Sequence, residues 1–360
     1  MAINPNDYPL KREERVLFAL RALYQRYGYM QYKMGKFEEY DLYVRNKDFL
    51  VSDGIITFTD TDGRLMALKP DVTLSIIKNT RDVDDCVQKV CYSENVYRIS
   101  GSTRQFKEIM QTGLECIGDV DLYNLCEVIA LASESLDLID ADNVLELSHM
   151  GVVSALVNAL ELDPDEHAAA LECIGQKNAD GLRKLCPGRD IGAVLQLIAS
   201  HGSPESVISA LRPWCRQGLA KAALDELETV TKLVDRPNVQ IDFSIVNDMN
   251  YYNGIVFMGY IDGIPASVLS GGQYDKLMQR MGKGARAVGF AIYMDLLERL
   301  GGEGREYDAD TLLLYDKKAD VPTLARAVEA LSREGSVLAQ RAIPEKLKYR
   351  RLVRLEEVEA

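Results

Sequence analysis

Gln111, Gly113 and Glu115 recur at every second position of one run, so in a strand their side chains share a face. An amide and a carboxylate on either side of a glycine leave a floor without a side chain, where a flat polar ring could lie. Asp71 follows Pro70 and precedes the apolar Val72, Leu74, Ile76 and Ile77, which equally fits an ordinary helix N-cap. Gln111 and Glu115 also read as one solvated strand face, and Tyr251 and Tyr252, next to Ile255, Val256 and Phe257, as strand and core aromatics. The seven cysteines show no CxxC pairing and the three histidines lie far apart, so neither a zinc site nor a disulfide framework is indicated. Buried free thiols in a reducing cytosol are the expectation, with no metal and no cofactor.

Longer blocks carry a family resemblance. The stretch Asn247-Asp248-Met249-Asn250-Tyr251-Tyr252-Asn253-Gly254-Ile255-Val256-Phe257 resembles the histidine-recognition loop of a histidyl-tRNA synthetase, with Asn247 where that family has an arginine. Gly271-Gly272-Gln273-Tyr274-Asp275 resembles GGRYD with Gln for Arg, and Gly289-Phe290-Ala291-Ile292-Tyr293-Met294-Asp295-Leu296 resembles GFAIGLER with Leu for the final Arg. Leu68-Lys69-Pro70-Asp71-Val72-Thr73 resembles the RPEGT element, and Glu108 to Gly118 the strand that closes motif 2. Val96-Tyr97-Arg98 matches the start of that motif, but Ser100 replaces the acidic residue that follows it.

The resemblance implies a histidine site in which Asp71 meets the α-ammonium, assisted by Thr73. Gln111, Glu115, Tyr251 and Tyr252 surround the imidazole, and Arg98 is the retained cation for a carboxylate or phosphate. It also implies that activation chemistry is lost. A carboxylate attacking a phosphoanhydride is anion meeting anion, and at Asn247, Gln273 and Leu296 no fixed positive charge remains to stabilise that encounter.

Several elements must position these residues. Val16, Leu20, Leu23, Tyr24 and Tyr27 form one stripe of a helix from Lys11 to Tyr27, ended by Gly28. Asp62-Gly63 predicts a turn between strands at 55–60 and 64–68. Strands are expected at 87–98 and 109–117, a helix at 124–139 and a short strand at 143–147. The fold class is α+β, a class II synthetase-like antiparallel sheet flanked by helices. The core is expected over residues 1–305, with a helical insertion at about 151–235 broken at Pro164, Pro187, Pro204 and Pro213. Residues 306–360 resemble only the first β-α-β portion of an anticodon-binding domain, a truncated α/β module.

The net charge is −13, from 42 Lys+Arg against 55 Asp+Glu, so no global attraction draws this chain to nucleic acid. The basic run Lys346, Lys348, Arg350, Arg351 and Arg354 is followed at once by Glu356, Glu357 and Glu359, which reads as a solvated strand or tail. No segment approaches 18 uninterrupted apolar residues and the N-terminus lacks an export signal, so a cytoplasmic protein with no membrane span is expected.

A synthetase-like core stripped of activation arginines resembles the regulatory subunits of short-form ATP phosphoribosyltransferase. That resemblance implies no chemistry of its own, a catalytic ATP phosphoribosyltransferase subunit as partner, histidine as ligand, and a homodimer within a hetero-oligomer. Motif 1, around Gln31 to Glu38, lacks its usual proline. Two other readings fit the same residues: a divergent histidyl-tRNA synthetase using other cations for ATP, and a paralogue binding a different amino acid.

Overall fold

The computed structural model describes residues 10–47, 54–81, 85–100, 103–246, 251–300 and 307–358. The chain divides into two compact units, Met1–Leu300 and Gly301–Ala360.

The first unit is built on a nine-stranded sheet. In order across it, the strands are Met30–Gln31, Val87–Ile99, Phe106–Gly118, Arg286–Tyr293, Leu269–Gln273, Ile255–Ile261, Asn143–His149, Val239–Asp242 and His201–Gly202. From Val87–Ile99 to Asn143–His149 the pairing is antiparallel throughout. Towards the edges the sheet departs from the all-antiparallel expectation: Met30–Gln31 runs parallel to Val87–Ile99, and Val239–Asp242 parallel to Asn143–His149. Both parallel partners arrive after long excursions of the chain, which hairpins cannot supply.

One face of this sheet is covered by helices. Arg12–Arg26 buries Val16, Leu20, Leu23 and Tyr24, and Tyr24 meets Phe290 of the sheet edge-on at 6.0 Å between ring centroids. Tyr27, expected on the same stripe, is 41% exposed. It is the C-cap residue, where the helix has already unwound, and Gly28 beyond it takes φ +83°, the left-handed conformation that suits glycine. Leu122–Ile139 starts from Asp121, whose side chain accepts the Asn124 N–H in a reciprocal cap, and packs its buried face on the same side.

Ahead of the long hairpin lies a small sheet, Phe37–Glu39, Leu65–Leu68 and Thr57–Thr59 in spatial order, with Gly63 at φ +80° in its turn. It delivers the chain into the seven-residue helix Thr73–Asn79. The insertion holds six helices between Met150 and Val234, with the short edge strand His201–Gly202 among them, and two of its four prolines, Pro164 and Pro204, sit at the first position of a helix, where no backbone N–H is missed.

In the second unit, Ala309–Leu314 lies between Val337–Gln340 and Tyr349–Arg354, all parallel, with the helix Val321–Ser332 as crossover. The basic run expected as a strand or tail therefore includes a strand at 349–354.

Candidate functional site

The sheet face opposite the helices carries the expected site residues. Cross-strand register places Glu115 opposite Gly289 and Val90, and Gly113 opposite Ala291 and Tyr92. Directly opposed residues project to the same side, so Glu115 has Gly289 on one flank and Val90 on the other. The glycines have work there: a Cβ on Gly289 would collide with the Glu115 carboxylate, and one on Gly272 would lie 2.7 Å from the Tyr252 ring.

Glu115 is 2% exposed and both of its oxygens are engaged. Thr73 Oγ1 donates to Oε1 at 2.8 Å, and the Tyr274 hydroxyl donates to Oε2 at 2.5 Å. Burial pushes the carboxyl up to about 8, against the two hydrogen bonds that favour the ionised form, while the nearby Asp71 adds to the rise. Burial thus moves the change of charge at Glu115 towards neutral pH.

Asp71 is buried, and its Oδ1 accepts the Leu74 N–H at 2.9 Å. The cap reading and the site reading are therefore both physical, because the helix start it holds is the same turn that presents Thr73 to Glu115. Burial raises the Asp71 carboxyl, opposed first by the Leu74 N–H and then by the Arg98 charge. Arg98 is itself fixed by Nε donating to the Pro70 carbonyl at 2.9 Å.

Tyr251 and Tyr252 meet edge-on at 4.7 Å between centroids, and Tyr251 lies 5.8 Å from the Tyr274 ring. Gln111 is 3% exposed, two residues along the strand from Gly113. Asp71, Thr73, Arg98, Gln111, Glu115, Tyr251 and Tyr252 thus border one buried, polar, aromatic-walled region.

One expectation needs correcting. Gly113 is not an open floor for a ring, since a Cβ there would lie 2.8 Å from the Tyr92 hydroxyl. Tyr92 stands directly across the strand pair, and its phenol spans the gap that the glycine leaves. Tyr92 and Tyr274 also line this region, which spacing along one strand could not reveal. Tyr274 had a signal in the GGQYD block, and Tyr92 had one only in the hairpin register.

The positions that lost arginine differ in what replaces it. The Gln273 Oε1 accepts the Ile255 N–H at 2.8 Å and lies against Gly254, so its amide is turned to backbone. Leu296, in the 3-10 helix Met294–Leu300, packs half-buried against the core. Asn247 lies outside the described residues.

Lys69, the residue in the first position of the RPEGT-like element, is 0% exposed, with Nζ 3.0 Å from Glu94 Oε2. Removing one partner of such a pair leaves an uncompensated buried charge. Glu94→Ala is therefore expected to destabilise the protein by about 3–5 kcal/mol in chemical denaturation. Lys69→Met should be much milder, because the Glu94 side chain is 16% exposed and can rehydrate.

A groove of about 1100 Å³ lies elsewhere, in the insertion, lined by Ser203, Ile208, Arg212, Lys221, Lys232 and Arg236 among others. Several of its cations are already matched, Arg212 by Asp225 and Glu228, and Lys232 by Glu228 at 2.7 Å. Size alone does not single it out, and the buried carboxyls and tyrosines that converge around Glu115 make that region the candidate site.

The histidyl-tRNA synthetase family model matches residues 5–297. An ATP phosphoribosyltransferase regulatory subunit of Clostridium kluyveri is 30% identical over 348 residues, 91% of this chain and 88% of that protein. Among solved structures, an ATP phosphoribosyltransferase regulatory subunit/histidyl-tRNA synthetase from Bacillus halodurans superposes with a TM-score of 0.77 at 22% identity, covering 95% of this chain and 93% of that one. A chain of the ATP phosphoribosyl transferase (HisG:HisZ) complex from Thermotoga maritima gives a TM-score of 0.63 at 22% identity, over 78% and 97% of the two chains. At those identities the structures establish the fold, whereas the family match and the sequence relative establish descent: the chain belongs to the histidyl-tRNA synthetase family and, within it, to the ATP phosphoribosyltransferase regulatory subunits.

Proposed function

We propose that this chain is a non-catalytic subunit that binds a short-form ATP phosphoribosyltransferase, activates it, and contributes to its feedback inhibition by histidine. The observation that carries the reading is a split in one site. Asp71, Gln111 and Glu115 stay polar and buried, while Gln273 is committed to backbone and Leu296 to packing where activation would need cations.

In this reading the α-ammonium of histidine meets Asp71, with Thr73 beside it. Arg98, whose charge acts on Asp71, takes the ligand carboxylate. The imidazole lies among Gln111, Glu115, Tyr251 and Tyr252, with Glu115 accepting a ring N–H. The chain works in the cytoplasm as a homodimer within a symmetric hetero-oligomer, and nucleic acid is not a partner. Residues 1–305 form the sensing core, and residues 306–360 are a module related to the β-α-β portion of an anticodon-binding domain.

Inhibition by histidine couples two sites, so histidine must favour one assembly state over another. A ligand with equal affinity for both states would shift nothing. Support for the partner comes from the kinship just described and from the complex in which a structural neighbour was solved.

Co-purification from the source cell followed by identification of the bound protein tests the partnership. A short ATP phosphoribosyltransferase is the expected catch. Calorimetric titration with histidine and with other amino acids tests the ligand, and stronger binding of another amino acid would favour the paralogue reading.

A further inference from the structure

We infer that the pocket is walled so that it takes the free amino acid and excludes a nucleotide attached to it, with Tyr293 and the Lys69–Glu94 pair as the wall. The inference rests on the reading of the site as an amino-acid pocket and adds what that pocket rejects. Beside Glu115 the adjacent strands carry Gly289 and Gly272, which contribute no side chain to this face. Two residue steps beyond Gly113 it is high. Glu94, Gln111 and Tyr293 stand opposite one another on three adjacent strands and form one continuous row. Directly opposed residues share a face with Cβ atoms about 4.5–5.5 Å apart, so this row is a ridge of three long side chains.

The residues of the ridge are fixed by their surroundings. Lys69 is fully buried and its Nζ holds Glu94 Oε2 at 3.0 Å, so this cation is spent within the protein and faces no ligand phosphate. A phosphate entering here would have to displace a carboxylate, and in a buried setting that repulsion is strong. On the other flank, Tyr293 occupies the second glycine of the GFAIGLER-like block and is the last residue of its strand, before the chain turns into Met294–Leu300. Its side chain stands on the face of Gln111 where a glycine would have none, and Leu296, half-buried just beyond, supplies no charge. The loss of arginines alone would leave a nucleotide-shaped space that binds weakly; the ridge removes the space. A sensor of free histidine gains from that, since ATP would otherwise compete for part of the site.

The test uses isothermal titration of the full chain with histidine, with ATP, and with the non-hydrolysable sulfamoyl analogue of histidyl-adenylate. The expected result is histidine binding, no ATP binding, and an analogue that binds no tighter than histidine. Tyr293→Gly should raise the affinity of the analogue relative to that of histidine by about tenfold, or about 1.4 kcal/mol. Tyr293→Ala serves as a second variant, and thermal melts confirm that both fold. An analogue that binds the unaltered chain more than tenfold tighter than histidine overturns the wall, as does a Tyr293→Gly protein with an unchanged ratio. Absence of histidine binding overturns the underlying pocket reading instead, and the two failures are told apart by that first titration.

Discussion

ATP–pyrophosphate exchange in the presence of histidine stays at background for the purified chain. Adenylate formation needs positive charge on the reacting carboxylate and on the triphosphate, and Asn247, Gln273 and Leu296 carry none. At about 1.5–3 kcal/mol per charged hydrogen bond, three losses lower the rate by several orders of magnitude even when they are not additive. The geometry adds a reason beyond charge, because the Gln273 amide is held by the Ile255 N–H and cannot swing into the site without leaving that buried donor unpaired. Exchange at a rate ordinary for a synthetase would establish the divergent-enzyme reading in place of the regulatory one.

Histidine affinity falls by about 1–3 kcal/mol in Glu115→Ala, roughly five- to 150-fold, if the carboxylate holds the imidazole through a desolvated hydrogen bond. Glu115→Gln keeps the volume and is the control for folding, since the alanine also strips partners from Thr73 and Tyr274. The same residue sets a pH dependence. Burial pushes its carboxyl up to about 8, well above the ordinary range. A ligand N–H donated to Glu115 favours the ionised form, so binding releases a proton and affinity rises as pH increases from 6 towards about 8. For folding the sign is the opposite: the folded state holds this proton more firmly than the unfolded chain, so this group's contribution to stability falls as pH rises from the ordinary carboxylate range through about 8. Titration in buffers of different ionisation enthalpy measures the released proton, and an unchanged affinity across that range in a chain that binds histidine would place the imidazole away from Glu115.

Periodicity and turn chemistry made much of this architecture readable in advance. The stripe from Val16 to Tyr24, the Asp62-Gly63 turn and the alternation through Gln111 and Glu115 are local patterns, and local patterns fix which face a residue takes. What reaches over that face from the next strand is a matter of register between segments far apart in sequence. The Tyr92 phenol above Gly113, the Tyr274 hydroxyl on Glu115 and the burial of Lys69 against Glu94 all depend on such pairings. The parallel edge strands escaped for the same reason, as Val239–Asp242 returns to Asn143–His149 only after the whole helical insertion. The candidate site residues could be singled out chiefly because several blocks in family order constrained one another, where each block alone also fitted a cap, a solvated face or a core aromatic.

The most direct test of the account is a histidine dose–response of ATP phosphoribosyltransferase activity, measured on the short catalytic subunit reconstituted with this chain and with its Tyr252 and Gln111 variants. The account predicts that the unaltered chain stimulates the catalytic subunit and confers inhibition by histidine. It also predicts that Tyr252→Ala and Gln111→Ala still stimulate but require at least about tenfold more histidine for half-inhibition, the equivalent of about 1.4 kcal/mol of lost differential binding. Stimulation with an unshifted histidine response in both variants would contradict it, because the inhibitory site would then lie outside this pocket.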